Sequence, residues 1–381
     1  MKTNKTIVWV SPDSFLDTDL NYEVMSGILR EYNIHWIVLF DKKGNRYKES
    51  DFDRLRSEND NLTVEFLYSK HRKRYPQNIF YYLKIRKIIN KVNPDLIYFN
   101  LVPSSPWILP VYFWLPKDKT IVTAHDGRVT ASMAFASLIK FGFYKAFESV
   151  KHVNMFSRYQ AGFFNENFPG KDVTVIPLAL KDFGRPTVSK RTDCVGFVYF
   201  GTVHFEKNLE LLVEAANQLY EEGVRGFKVS INGVWRVEWK PEDKIRHPEI
   251  FELNIGSVPN EDIPNLFTYN HYAVYPYKNM SQSGAIKCAF NYHTPVIVSD
   301  LPGFTDEVEE GVEGFSFKSE DVDDLKRVMR ECLSRKTNEY NKLVEKMSLH
   351  VNKEYAIEAI VSKYLEMFNR ILKNEYTIYR T

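Results

Sequence analysis

The residues best suited to bind a charged ligand follow a strand-like run in the second half of the chain. Val195–Phe200 leads into Gly201, and Lys207 and Asn208 then precede a helical pattern. A glycine after a strand lets a ligand approach the backbone closely, and a lysine beside a helix start adds to the amide groups and dipole that attract anions there. The pattern indicates an anion site, although the same residues also suit an ordinary strand-to-helix turn with a solvated lysine.

The sequence lacks the motifs of several common classes of enzyme. The sequence has no G-x-x-x-x-G-K-S/T loop, no G-x-G-x-x-G after a strand and no H-E-x-x-H. Their absence argues against a P-loop nucleotidase, an ordinary dinucleotide dehydrogenase and a zinc protease. Asp17-Thr18-Asp19 has a spacing that can chelate a metal, but it precedes a helical pattern, so helix N-capping is the preferred interpretation. We therefore expect no metal cofactor.

The composition is that of a folded chain with two domains. It has 381 residues, 44% hydrophobic and 26% charged, which excludes an integral membrane protein and a largely disordered chain. The three cysteines lie far apart and form neither a disulfide framework nor a zinc spacing, which fits a reducing compartment. No export signal is visible, so we expect a cytoplasmic protein.

Strand-like runs alternate with helical patterns, which predicts parallel sheets covered on both faces. We expect an α/β chain of two doubly wound, Rossmann-like domains. The first domain is residues 1–182, the linker 183–193 and the second domain 194–355, and a C-terminal helix in 356–381 packs back toward the first domain. The predicted strands are Ile7–Val10, Ile34–Phe40, Leu96–Phe99, Thr120–Thr123, Val153–Phe156, Val173–Ile176, Val195–Phe200, Phe227–Ile231, Tyr272–Tyr275 and Val296–Ser299.

Four blocks within residues 195–320 resemble, in order and spacing, the retaining GT-B glycosyltransferases of family four (glycosyl transferases group 1). The blocks are Gly201–Asn208, similar to G-R-L-x-x-E-K-G; Gly256–Val258 with Ile263, Phe267, Tyr272 and Pro276; Pro295–Asp300 with Gly303 and Asp306; and Gly311 with Gly314. The resemblance implies two Rossmann-like domains facing a central cleft and a nucleotide-diphosphate sugar as co-substrate. The donor-binding residues that it implies are Gly201, Thr202, Lys207, Val258, Ser283, Gly284 and Asp306.

The first domain resembles the family more loosely. Ile121–Asp126 is similar to the family's strand that ends in a histidine. The resemblance implies that His125 orients the sugar and stabilises charge near the anomeric carbon, and that Asp126 orients His125 or caps the next helix. Taken alone, His125 also suits a strand-end histidine bonded to backbone. The implied catalytic residues are His125, Asp126 and Lys207.

The resemblance breaks at the donor helix. The two glutamates of the family's E-x-F-G-x-x-x-x-E are replaced by Met280 and Cys288, and the motif glycine by Ser283, which Gly284 follows. The arginine that the family has after its first glycine is Thr202 here. The carboxylates that read the sugar and ribose, and one diphosphate cation, are therefore missing.

The implied reaction builds negative charge on a departing nucleoside diphosphate, which fixed donors must stabilise where no metal does so. The resemblance implies that the leaving phosphate helps to deprotonate a glycan or lipid-linked acceptor, as in the synthesis of cell-surface polysaccharides or glycoconjugates.

Two alternatives stay open. A degenerate GT-B protein that binds a nucleotide or glycan without turnover is favoured by Met280 and Cys288. A sugar-nucleotide epimerase on the same fold requires carboxylate acid–base residues that the sequence does not identify.

The first half of the chain is basic. Residues 1–180 hold 25 Lys and Arg against 18 Asp and Glu, a net +7, whereas the remainder holds 26 against 31, a net −5. A basic amphipathic helix, Ile79–Lys91, is predicted there, and such helices can lie on anionic lipid. We expect a peripheral membrane contact on the inner face; the alternative is an ordinary helix packed on the sheet. No nucleic-acid partner is expected. The basic residues of this region include Lys70, Arg72, Lys73, Arg74, Lys84, Lys87 and Lys91.

Overall fold

The computed structural model describes residues 4–12, 18–40, 47–72, 75–100, 106–127, 136–280 and 283–373. The chain divides into two compact units. The first comprises Met1–Leu178 together with Ile357–Thr381, and the second comprises Ala179–Ala356. Residues 183–193, the predicted linker, have neither helix nor strand and belong to the second unit.

Among the described residues, the first unit contains one sheet of seven parallel strands. These are β1 (Thr6–Pro12), β2 (Asn33–Phe40), β3 (Leu62–Tyr68), β4 (Leu96–Phe99), β5 (Thr120–Ala124), β6 (His152–Met155) and β7 (Asp172–Val175). Their order is β3-β2-β1-β4-β5-β6-β7, with every neighbouring pair parallel. The chain therefore changes direction across the sheet between β1 and β4.

The second unit, as described, contains a parallel sheet of six strands. These are β8 (Val195–Phe200), β9 (Phe227–Gly233), β10 (Phe251–Ile255), β11 (Tyr272–Tyr275), β12 (Val296–Ser299) and β13 (Gly314–Phe317). Their order is β10-β9-β8-β11-β12-β13. Here the change of direction falls between β8 and β11. The predicted α/β class with two doubly wound domains is confirmed.

Helices connect the strands of both sheets. In chain order the described α-helices are α1 (Thr18–Ile28), α2 (Asp53–Glu58), α3 (Asn78–Val92), α4 (Leu109–Trp114), α5 (Ala136–Ser149), α6 (Arg158–Asn167), α7 (Leu209–Glu221), α8 (Pro241–Lys244), α9 (Ile263–Tyr269), α10 (Gly284–Asn291), α11 (Pro302–Thr305), α12 (Val322–Ser334), α13 (Thr337–Tyr355) and α14 (Ile357–Leu372).

Helix α3 corresponds to the predicted basic amphipathic helix. Tyr82, Ile85, Ile88 and Ile89 recur at helical spacing and are buried in the core of the first unit. The helix ends at Asn93, whose left-handed backbone closes the last turn by donating its N–H to the Ile89 carbonyl. The apolar side of α3 therefore packs inward, as the alternative to a lipid contact expects.

Helix α14, from the end of the chain, is part of the first unit. Its Tyr364 and Phe368 rings lie 5.8 and 6.3 Å from the Trp9 ring. Arg370 Nη1 lies 2.8 Å from each oxygen of the Asp172 carboxylate. His152 Nδ1 lies 2.6 Å from the same carboxylate. Burial alone would raise the pKa of Asp172, but the hydrogen bonds from His152 and Arg370 hold it below its ordinary value.

Candidate functional site

The candidate site lies in the second unit, where the chain changes direction between β8 and β11. These two strands are neighbours in parallel register, with Tyr272 beside Phe197 and Ala273 beside Val198. The connections that leave them diverge, because β8 leads to β9 on one side and β11 leads to β12 on the other. Such a crevice at the carboxyl ends of the strands is where open α/β sheets bind their ligands.

The loop after β8 is fixed by backbone contacts with the loop after β9. Gly201 donates its N–H to the Asn232 carbonyl at 3.0 Å, and Val203 donates its N–H to the Val234 carbonyl at 2.8 Å. Gly201 and Gly233 have φ angles of +142° and +150°, which favour glycine. A Cβ on Gly233 would lie only 1.8 Å from the Gly201 carbonyl oxygen, so no side chain fits there. The chain thus turns sharply at Gly201 and leads directly into the segment that carries Lys207.

Lys207 ends a short 3-10 turn, Phe205–Lys207, and only Asn208 separates it from α7. Its Nζ lies 3.7 Å from the centre of the Tyr277 ring. Burial lowers the pKa of Lys207 to about 8, against the opposing effect of Glu206. The side chain therefore carries its charge at neutral pH in a partly dehydrated place, where an anion would stabilise it strongly.

The loop after β11 meets the same lysine through Tyr277. Lys278 donates its N–H to the Glu206 carbonyl at 2.8 Å, which joins the two loops. Tyr277 is buried, and Ser299 donates its hydroxyl to the Tyr277 carbonyl at 2.7 Å. Burial raises the pKa of Tyr277, and a hydrogen bond with the Ser283 side chain works against that rise. Lys207, Tyr277 and Ser283 therefore form one contiguous group.

Ser283 is the residue that precedes α10, and Gly284 is the first residue of that helix. The Tyr275 hydroxyl donates to the Ala285 carbonyl at 2.9 Å, which fixes the start of α10 against β11. The amide groups of a helix start face outward without partners inside the helix. This places the amino end of α10 beside the group formed by Lys207, Tyr277 and Ser283.

Lys181 is a cation at this helix start that the sequence analysis did not identify. A Cβ on Gly284 would lie 3.2 Å from Lys181 Nζ. Lys181 N–H also donates to the Lys287 carbonyl on α10, at 3.4 Å. Its proximity to the helix depends on the chain returning from residue 181 to residues 284–287, and no short motif carries that information.

Cys288, which stands where the resemblance expects a glutamate, is an uncharged part of α10. Its side chain is buried, and Sγ donates to the Gly284 carbonyl at 3.4 Å. Burial raises the pKa of the Cys288 thiol to about 12, although the nearby charge of Lys181 acts to lower it. Met280, at the other glutamate position, packs with its side chain partly buried against the core of the unit.

The remaining predicted donor residues lie at the same edge of the sheet. Thr202 follows Gly201, Val258 lies in the loop after β10, and Asp306 follows α11, the short helix after β12. Next to Asp306, Glu307 is buried and forms an ion pair with Lys287 at 3.2 Å. Burial raises the pKa of Glu307, which Lys287 opposes. Glu307 Oε1 therefore contacts Lys287 on α10, whereas Oε2 is buried and has no hydrogen-bond partner among the described residues.

The two predicted residues of the first unit follow β5. His125 is half-buried, with its ring centre 4.8 Å from that of Phe156, and Asp126 is exposed. Gly127 then donates its N–H to the Gln160 side-chain oxygen at 2.8 Å, which ties this loop to α6. His125 and Asp126 therefore stand at the carboxyl edge of the first sheet, while Gly201, Lys207, Ser283 and Gly284 are brought together at that of the second.

A comparison with protein families finds a match that includes the site in the second unit. Residues 183–349 match the sequence model of the family Glycosyl transferases group 1. The second unit is a glycosyl transferases group 1 domain. The matched range contains the loop after β8, the start of α10 and the Asp306 segment, all of which the sequence resemblance had singled out.

Solved structures share the fold over almost the whole chain. A glycosyltransferase from Rickettsia africae ESF-5 is 17% identical, with a TM-score of 0.73, covering 97% of this chain and 99% of that one. Sucrose-phosphate synthase from Thermosynechococcus elongatus is 13% identical, with a TM-score of 0.74, covering 97% and 100%. Anabaena Alr3699/HepE, solved with UDP, is 13% identical, with a TM-score of 0.69, covering 96% and 99%. These similarities establish the GT-B fold that the resemblance implied. A search of curated protein sequences finds no match.

Two other sequence predictions concern metals and membranes. In the parts of the chain that the structure describes, no three His, Cys, Asp or Glu side chains are grouped so as to hold a metal ion. Asp17, in the Asp17-Thr18-Asp19 triplet, lies outside those parts. None of the described helices is long and apolar enough to cross a membrane.

Proposed function

We propose that the chain is a retaining, metal-independent glycosyltransferase that uses a nucleoside-diphosphate sugar. The observation that carries the proposal is the group formed by Lys207, Tyr277 and Ser283 at the crevice of the group 1 domain. Anabaena Alr3699/HepE, which has the same fold, has been solved with UDP and with UDP-glucose. That likeness supports a nucleotide sugar as the ligand of this crevice.

The chemistry of donor cleavage fits these residues. Breaking the bond between sugar and phosphate leaves charge on the nucleoside diphosphate, and donors that are already fixed stabilise it best. In this proposal Lys207 and the amide groups at Ser283 and Gly284 bind the diphosphate. Lys181 supplies the second cation, in place of the family arginine that is Thr202 here.

The acceptor half of the reaction is assigned to the first unit. In the proposal His125 orients the transferred sugar and stabilises positive charge at its anomeric carbon, and Asp126 assists His125. The leaving phosphate oxygen takes the proton of the acceptor hydroxyl, so that no carboxylate base is needed. The position of His125 after the buried strand β5 supports a rigid role of this kind.

The acceptor is proposed to be a glycan or a lipid-linked sugar met at an anionic membrane. Since the apolar side of α3 is buried, only its outer side, with Lys84, Lys87 and Lys91, can face lipid. Helix α4, which packs against α3, exposes Phe113 and Trp114. Basic and aromatic side chains together suit a lipid interface. Co-sedimentation with anionic vesicles at low salt, lost when the three lysines are changed to Glu, is the expected result; binding that persists in that variant would contradict it.

A second candidate is a GT-B protein that binds a nucleotide without turnover. The protonated thiol of Cys288 and the thioether of Met280 favour it, because their uncharged sulfur atoms accept hydrogen bonds from sugar or ribose hydroxyls much more weakly than a glutamate does.

Release of nucleoside diphosphate from a panel of nucleotide sugars, with candidate acceptors and in EDTA, separates the two candidates. We expect release by the wild type, reduced about a hundredfold in His125→Ala while nucleotide affinity is retained. The matched control is Lys353→Ala, which removes an exposed charge of α13. Tight binding with no release under any condition would support the binding protein. Activity lost in EDTA and restored by manganese would contradict metal independence.

A further inference from the structure

A second pocket lies in the group 1 domain at the opposite edge of its sheet. It has a volume of about 420 Å³ and includes Val195 and Tyr272, the first residues of β8 and β11. Since these strands are parallel, their amino ends are at the edge away from Gly201 and Tyr277. The pocket is therefore separate from the crevice assigned to the nucleotide sugar.

The wall of this pocket is cationic. Lys190, Arg191 and Arg335 line it, and no aspartate or glutamate does so among the described residues. Arg191 is neutralised, because its guanidinium is 3.0 Å from Asp193 and 3.1 Å from Glu252. The other two cations have no such partner: in the described parts of the chain no carboxylate lies within 4.0 Å of either.

The ammonium group of Lys190 has N–H donors that are not used in a described hydrogen bond. Its Nζ donates to the Asn270 carbonyl at 2.7 Å and lies 5.5 Å from the centre of the Tyr340 ring. Burial lowers the pKa of Lys190 to about 8. An ammonium group has three N–H donors, so one hydrogen bond and one ring contact leave it incompletely satisfied. Burying a cation in this state raises the free energy of the folded protein unless an anion binds to it.

Arg335 and Tyr272 add two more unsatisfied donors. The Arg335 Nε is buried and, within the described residues, has no hydrogen-bond partner; its guanidinium lies 4.4 Å from the centre of the Phe315 ring. The Tyr272 side chain is 1% exposed, and its hydroxyl is near the Cys332 thiol, a weak acceptor, with no nitrogen or oxygen partner among the described residues. Buried donors without partners are rare in folded proteins and call for an explanation such as a bound ion.

His271 does not add to the charge. Burial, together with Lys190 and Arg191, lowers the pKa of His271 to about 4, so the ring is neutral at pH 7. Its Nδ1 accepts a hydrogen bond from the Gly196 N–H at 3.2 Å. The pocket therefore combines two uncompensated cations with neutral donors, a set that matches the oxygens of a phosphate group.

We propose that this pocket binds a small molecule that carries a phosphate group, held by Lys190 and Arg335 and by the Tyr272 hydroxyl. The volume exceeds what phosphate alone occupies and lies within the range of small-ligand sites. The ligand is thus inorganic phosphate or a small phosphate monoester. The site is independent of the proposed transferase reaction, since it shares no residue with the group formed by Lys207, Tyr277 and Ser283.

Calorimetric titration with inorganic phosphate and with glycerol 3-phosphate tests the site. The titrations use the Lys207→Ala variant, so that binding in the other crevice is suppressed. We expect a Kd of about 1 mM or tighter, weakened at least about tenfold by adding Arg335→Gln or Lys190→Gln and unchanged by adding Lys353→Gln. The tighter of the two probes identifies the ligand type. No measurable affinity for either probe, or equal affinity in all variants, would overturn the proposal.

A second measurement does not depend on the variants folding. Wild-type crystals grown without phosphate are soaked in selenate, and the selenium is located by anomalous scattering. A site between Lys190 and Arg335 is expected. Selenium found only elsewhere on the protein would overturn the proposal.

Discussion

Because the pKa of Lys207 is lowered, we expect the affinity for a nucleoside diphosphate to depend on pH. Because Lys207 titrates at about 8 in the ligand-free protein, it is about nine-tenths protonated at pH 7 and about one-tenth protonated at pH 9. If the charged form binds the diphosphate, affinity for a nucleoside diphosphate falls about tenfold between these pH values, or about 1.4 kcal/mol. Calorimetric titration at both pH values measures the change.

Lys207→Arg is the matched variant for this test, because an arginine keeps its charge at both pH values. We expect the affinity of that variant to be almost independent of pH, which also corrects for titration of the nucleotide itself. Equal affinities of the wild type at pH 7 and pH 9, or equal losses in the wild type and Lys207→Arg, would show that the charge of Lys207 does not bind the diphosphate.

The lowered pKa of Lys207 also affects the stability of the ligand-free protein, which is expected to rise with pH, whereas nucleotide affinity is expected to fall. The folded-state pKa of about 8 lies below the ordinary 10.5, so between these values the unfolded chain binds more protons than the folded one. The cost of burying this charge is therefore present below pH 8 and disappears as the pH rises toward 10.5. Lys207→Met is expected to raise the melting temperature at pH 7 while weakening nucleotide binding, the combination expected of a functional residue. A lower melting temperature would indicate a structural role.

Three further predictions follow from other contacts. Lys181→Ala is expected to weaken nucleoside-diphosphate binding about tenfold in calorimetry, since it removes the cation beside Gly284; unchanged affinity would contradict its role. Arg370→Ala removes the guanidinium whose Nη1 donates to both oxygens of the buried Asp172, and we expect a loss of about 3 kcal/mol in the free energy of unfolding by denaturant titration, against little change for Lys353→Ala. His125→Ala is expected to melt at the wild-type temperature; early melting with a retained rate would show a purely structural histidine.

The sequence predicted the central strands well because a strand buried on both faces is a continuous apolar run. It did not predict β3, β10 or β13. These three strands are at sheet edges, where one side has no neighbouring strand. Strand β10 is mostly exposed after Phe251, and β13 begins at Gly314. Both alternate apolar and polar residues, and neither has the continuous apolar run by which the central strands were identified.

The site was predictable where it depended on local order along the chain. Gly201 and Lys207 follow one strand directly, so their position at its carboxyl end is implied by the sequence. Lys181 and Tyr277 were not identified, because their roles depend on contacts with α10 and with Lys207 that only the folded chain brings about. The pocket around Arg335 was missed for the same reason: its wall comes from four separate parts of the chain, at residues 190–195, 226, 271–272 and 332–341.

We propose that the crevice between β8 and β11 binds a nucleoside diphosphate through Lys207. Calorimetric titration of the wild type and of Lys207→Ala with UDP, GDP, ADP and CDP, in EDTA at pH 7, tests it most directly. We expect at least one of these nucleotides to bind without metal and Lys207→Ala to weaken its binding more than tenfold, about 1.4 kcal/mol. Binding of none of them, or the same affinity in both proteins, would contradict it.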